Sequence, residues 1–176
     1  MNKLKTKWFV LLSVFLLSGS SFAAETYPLN STVEDWKGGV SEHLYDGGLT
    51  SGVGVLDRSI GFTVVGQFAR KIIHDGFIPE INNQVFAEVQ LGSLFVSNAT
   101  ALIYSAHLRW DFTKDYDWTF FALGGLSGTI AGDSLGNVWS LAPRFGVGSF
   151  YRIDSQFSFR AELSQDLVLA GVSFGF

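Results

Sequence analysis

Apolar and polar residues alternate with a period of two along most of the chain from Leu49 onward. That period marks strands with two unlike faces. Residues 101–112 show it most cleanly: Leu102, Tyr104, Ala106, Leu108, Trp110 and Phe112 lie on one face, and Ser105, His107, Arg109 and Asp111 on the other. The same alternation places strands over residues 85–95, 138–151, 156–163 and 166–176. Residues 59–72 set Ile60, Phe62, Val64 and Phe68 against Thr63, Gln67 and Lys71, and a first strand over 49–56 rests on Val53 and Val55. Residues 118–130 are apolar on both faces, and Gly124, Gly125 and Gly128 suggest a bend or bulge there. Turn residues separate the segments, as at Asp57-Arg58, Thr113–Asp117 and Ser164-Gln165.

The count is eight antiparallel strands in up-and-down order, an all-β fold. Strands of about 9–11 residues can cross a bilayer when tilted. A closed barrel is then required, because lipid tolerates no unpaired sheet edge. Aromatic residues at Tyr104, Trp110, Phe112, Trp118, Trp139 and Tyr151 fall near the expected strand ends, where an interfacial girdle would stand. A soluble lipocalin-like barrel would show the same alternation with its faces exchanged. Periodicity alone does not separate the two.

The C-terminal segment 166–176 points to the membrane. Phe176, Phe174, Val172, Ala170 and Val168 are apolar at every second position, with Gly175, Ser173 and Gly171 between them and Leu169 as the exception. This resembles the C-terminal strand signal of Gram-negative outer-membrane β-barrels, matching at Gly171, Phe174 and Phe176 and departing at Leu169. The resemblance implies an outer-membrane location and recognition by that family's barrel insertion machinery.

At the other end, Lys3, Lys5 and Lys7 precede an apolar run from Trp8 to Leu17 and a small-residue exit at Ser18–Ala24. This is the form of a secretory signal peptide over residues 1–23, cleaved after Ala23. The apolar run is too short for a spanning helix. Residues 24–48 form a periplasmic or lumenal leader, with capping-box spacing at Ser31–Glu34 and a helix stop at Gly38-Gly39. Residues 49–176 form the barrel.

Removal of the signal leaves nine basic against sixteen acidic residues, a net charge near −7. With no basic stripe, nucleic acid is not expected as a partner. The chain has no Cys, which excludes disulfides and thiolate metal sites. His43 and His74 stand alone, without carboxylates at ligand spacing, so neither a metal nor another cofactor is expected.

With the apolar face in lipid, Glu88, Gln90, His107, Arg109, Asp111, Arg144, Arg160 and Glu162 point inward. An eight-stranded barrel is only wide enough for side chains to fill it. The expectation is an interlocked ionic network rather than an open channel, with every charge paired. A sharper reading takes Ser105, His107 and Asp111 as parts of a nucleophilic site. Some small outer-membrane barrels resembling this one modify lipid A, and their deacylases carry His-x-Ser. Here the order is Ser105-x-His107, which weakens that reading. The expected role is structural or interactive in the envelope, in contact with outer-membrane lipid and with a second copy or a partner barrel as candidate neighbours. A narrow pore is the alternative, and a lipid-modifying enzyme the third.

Overall fold

The computed structural model describes residues 36–39, 41–56, 59–97, 99–131 and 138–176, with the backbone alone at Val138 and Trp139. The expected signal peptide and capping-box segment lie outside the described residues. Eight strands follow in order: β1 (Tyr45–Leu56), β2 (Ser59–Ile73), β3 (Asn83–Val96), β4 (Ala99–Thr113), β5 (Trp118–Ala131), β6 (Val138–Arg152), β7 (Phe157–Ser164) and β8 (Leu167–Gly175). Each pairs antiparallel with its sequence neighbours, and β8 returns to β1, closing the barrel. Every segment read from the alternation is a strand.

The start of β1 and the role of the β5 glycines differ from expectation. β1 begins at Tyr45 rather than Leu49, with Gly47 and Gly48 paired on both sides, to β2 and β8. The glycines of β5 make no bulge, for its registers with β4 and β6 run unbroken. They make room instead. A Cβ on Gly125 would sit 2.5 Å from His107 Cβ, and one on Gly128 would sit 2.3 Å from the Tyr104 ring. The register shifts between Lys71 and Ile73, in the β2–β3 pair.

The barrel is apolar outside and polar inside. Ile60, Phe145 and Leu91 are 75%, 62% and 59% exposed, while Arg160 and Glu88 are 0% and 1% exposed. A soluble barrel has the reverse arrangement, so the lipocalin alternative fails. At one end, taken as the lower, aromatic side chains ring the outer surface. Phe68, Tyr45, Phe176, Phe174 and Phe157 form one chain of ring contacts. Tyr151, Trp118, Phe120 and Trp36 form a second, and Phe112, Trp110 and Phe77 a third. This is the placement of an interfacial girdle. Tyr104 is not part of it: five residues inside β4, it covers Gly128.

The leader crosses the lower mouth. Trp36 N–H donates to Lys114 O (2.6 Å), and Asn82 N–H donates to Trp36 O (2.9 Å). Farther along, Lys71 Nζ and Gln84 Nε2 both donate to Ser41 O, and His43 Nε2 donates to Ser155 O (2.8 Å). The segment thus runs from the turn before β5 to the start of β1, four strands away around the ring, which is straight across the opening. None of its described residues is helical, and the rest of the helix expected before Gly38-Gly39 lies outside them.

The upper rim is uneven. β6 pairs with β5 up to Ala131↔Val138, but with β7 only from Gly146↔Ser164. On the far side β8 stops at Gly54↔Leu167, while β1 continues to Leu56. At about 3.3 Å per residue and a tilt of roughly 40°, the β7–β8 hairpin ends roughly 20 Å below the top of β6 and roughly 5 Å below that of β1. The wall has a notch.

Candidate functional site

The inward positions of β3, β4, β6 and β7 meet at mid-height. β3 and β7 lie on opposite sides of an eight-strand ring, so contacts between them span the lumen. Glu88 of β3 makes that contact: Arg160 Nη1 and Nη2 donate to its Oε2 and Oε1 at 3.0 and 2.7 Å. Arg109 Nη1 reaches Glu88 Oε2 at 2.6 Å, Gln90 Nε2 donates to Oε1 at 2.9 Å, and His107 Nε2 lies 3.2 Å from Oε1. Glu162 is the second hub. It accepts from Arg144 (2.6 Å), Arg160 (2.7 Å) and Gln90 (3.0 Å). Asp111 holds Arg109 through both oxygens, at 2.8 and 3.0 Å, and Asp46 of β1 takes the same guanidinium at 2.9 Å. All eight residues picked from the alternation are buried and belong to this connected set. Burial makes each pairing consequential, since an uncompensated charge here has no water to turn to.

Aromatic rings complete the layer. The Arg109 guanidinium lies 4.5 Å from the Phe86 ring centre and 4.8 Å from that of Phe150. Arg160 lies 4.9 Å from Phe121 and 5.4 Å from Phe150. Phe121 and Phe150 also pack together with Leu123. The face of a desolvated ring attracts a cation, so these side chains both fill the barrel and stabilise its arginines. The sequence reading missed Asp46, Phe86, Phe121 and Phe150. Phe86 and Phe150 stand in register with charged residues on the polar face, and Phe121 explains why β5 looked apolar on both faces.

The nucleophilic arrangement does not form. Ser105 Oγ accepts from Arg144 Nη1 (3.0 Å), His107 faces Glu88, and Asp111 is taken by Arg109. Among the described residues, no group of three or more His, Asp or Glu gathers as a metal site.

Above the ionic layer an apolar cluster stands in the lumen beside buried Thr50, Thr63 and Gln67. Val65, Leu167 and Leu169 are buried together, with Ile103 against them. The departure of Leu169 from the usual polar residue is thereby explained: it faces inward, into this cluster. Below the layer lies a chamber of about 380 Å³, bounded by Asp46, Gln84, Phe86, Asp111 and Arg152 and floored by His43 of the leader. Outside the strands, Asp154 accepts the N–H groups of Gln156 (2.8 Å) and Phe157 (2.7 Å) in the β6–β7 turn. Those two bonds hold its carboxyl below the ordinary range. In the C-terminal strand, Gly171 pairs with Thr50 and Arg160, Phe174 packs on Phe157, and Phe176 exchanges backbone bonds with Tyr45 at 3.0 and 2.9 Å.

A closed eight-stranded wall, apolar outside and filled with paired charges inside, defines a membrane-spanning β-barrel of the outer-membrane type. No protein-family model and no curated protein matches the sequence. Among solved structures, the chain is similar to Ail, the attachment invasion locus protein of Yersinia pestis. One crystal structure, in complex with the heparin analogue sucrose octasulfate, is 14% identical, with a TM-score of 0.48. Another is 12% identical with a TM-score of 0.49, and each match covers 75% of this chain and 96% of that one.

Proposed function

We propose that this protein is a non-conducting outer-membrane barrel that serves the envelope through structure and lateral contacts. The observation that carries the reading is Glu88, which joins Arg109 and Arg160 and so ties opposite walls across the lumen. A side-chain layer bonded across the lumen at 2.6–3.0 Å supports a closed barrel over an open channel. Planar-bilayer recordings test this. The purified protein is expected to give no single-channel steps, and steady conductance of the unaltered protein would overturn the reading.

The lower chamber favours a second reading, a narrow pore, because only the ionic layer and the apolar cluster above it would have to part. Conductance that appears only under applied voltage is the result that reading requires. Catalysis has less support, since Ser105, His107 and Asp111 are held by three different partners.

The lipid-facing belt makes outer-membrane lipid the principal partner, and a second copy or another barrel could pack against the same surface. Gly171, Phe174 and Phe176 are the residues we assign to recognition by the insertion machinery. A Phe176→Ser variant is then expected to accumulate less in the outer-membrane fraction, and equal accumulation would remove the assignment.

A further inference from the structure

The notch above β7 and β8 leaves backbone groups of β6 without a neighbouring strand. Which residues are affected follows from the bonds that Gln165 makes. Its N–H donates to Phe145 O (3.3 Å), and its Nε2 donates to Pro143 O (2.5 Å). The odd-numbered residues of β6 therefore direct their backbone groups toward the gap, since orientation alternates along an antiparallel strand. Pro143 has no N–H to leave unpaired. Leu141, next in the series, turns both N–H and C=O into the gap, and no described residue pairs with them there.

The gap stands within the apolar belt. Leu141, Phe145, Leu163, Val168 and Val55 around it are all exposed on the outer surface. An amide unpaired in hydrocarbon costs several kcal/mol, so an occupant that pairs with Leu141 would be strongly favoured.

Next to the hairpin turn is a cavity of about 20 Å³ lined by Gln90, Ser105, Arg144, Asp166 and Leu167, among others. Arg144 is 2% exposed, yet its Nε makes no hydrogen bond. That atom lies 3.5 Å from Asp166 Oδ1, which makes none either, and Gln90 Oε1 is also without a donor. One donor and two acceptors thus border a space the size of a single water or hydroxyl. Glu162 and Asp166 both face Arg144, so a phosphate would meet more negative than positive charge. A neutral group that both donates and accepts fits better.

We propose that the notch is a lateral docking site for an outer-leaflet lipid whose acyl chains carry amide and hydroxyl groups. The amide pairs with Leu141 as a strand would, the hydroxyl reaches the Gln90–Arg144–Asp166 cavity, and the chains lie along Phe145, Leu163 and Val168. This inference rests on the outer-membrane reading, with the upper rim on the outer side.

The test is native mass spectrometry of the protein released from vesicles. These contain equal parts of phosphatidylethanolamine and a lipid A with amide-linked, hydroxylated chains. One lipid A is expected to stay bound in preference to phosphatidylethanolamine. Leu141→Pro removes only an N–H turned to the gap, and Asp166→Ala removes an acceptor at a partly exposed turn. A fall in retention of about tenfold in either variant supports the site. Retention of neither lipid, equal retention of both, or full retention in both variants would overturn it. The mobility of boiled and unboiled samples reports separately on the barrel itself, so a failed membrane reading is not confused with a failed site.

Discussion

The upper and lower parts of the lumen face the same problem and solve it with different chemistry. Above, Val65, Ile103, Leu167 and Leu169 fill the space by apolar contact. At mid-height, Glu88 and Glu162 hold three arginines, with Phe86, Phe121 and Phe150 beside the guanidinium groups. Apolar filling is forgiving, because a truncated side chain costs its buried area and a cavity. Ionic filling is not, because removing one hub leaves several buried cations with less counter-charge than they need. The two regions should therefore respond very differently to single substitutions.

The largest effect is expected from Glu88→Ala. It would leave Arg109 and Arg160 facing each other across the lumen and cost about 3–5 kcal/mol. Urea unfolding in vesicles measures it, and in planar bilayers the same variant is the one most expected to conduct. Leu169→Ala in the apolar part should cost about 2–4 kcal/mol and leave conductance unchanged. If Leu169→Ala destabilises more than Glu88→Ala, the contrast between the two fillings is wrong.

A finer comparison lies inside the ionic layer. Phe150→Leu keeps an apolar side chain of similar bulk but removes the ring from Arg109 and Arg160. A loss of about 1–2 kcal/mol is expected, measured by the same unfolding. A neutral result would reduce Phe150 to a space-filler and make the two regions more alike.

What the sequence could reveal follows the same division. Alternation is a local property of each strand, so all eight strands and the face shared by the charged residues are legible from it. The inward direction of that face rests on the membrane resemblance of the C-terminal segment ending at Phe176. The contents of the lumen depend on which strands lie opposite, and register around a closed ring is not a local property. Hence Asp46, which lies before the expected start of the first strand at Leu49, could not be matched to Arg109. The inward rings of Phe86 and Phe150 interrupt a polar face, and alternation alone does not say what they meet, just as it leaves Leu169 a departure from a pattern. The path of residues 36–44 was hidden for another reason. Its hold comes from carbonyls such as Ser41 O, met by Lys71 and Gln84 from distant strands, and backbone acceptors carry no signature in sequence.

The smallest expected effect lies outside both fillings, at Asp154. Its carboxylate accepts the N–H groups of Gln156 and Phe157, which lowers its pKa in the folded protein below the ordinary 3.8. A carboxyl depressed on folding contributes stability above its unfolded pKa, and that contribution is lost as pH falls through the folded value. Asp154→Ala should therefore lower stability slightly at neutral pH, with the difference from the unaltered protein shrinking as pH drops below about 3.8. Unfolding midpoints across that range measure it. A difference that persists at the acid end would mean that Asp154 acts by shaping the turn rather than by its charge.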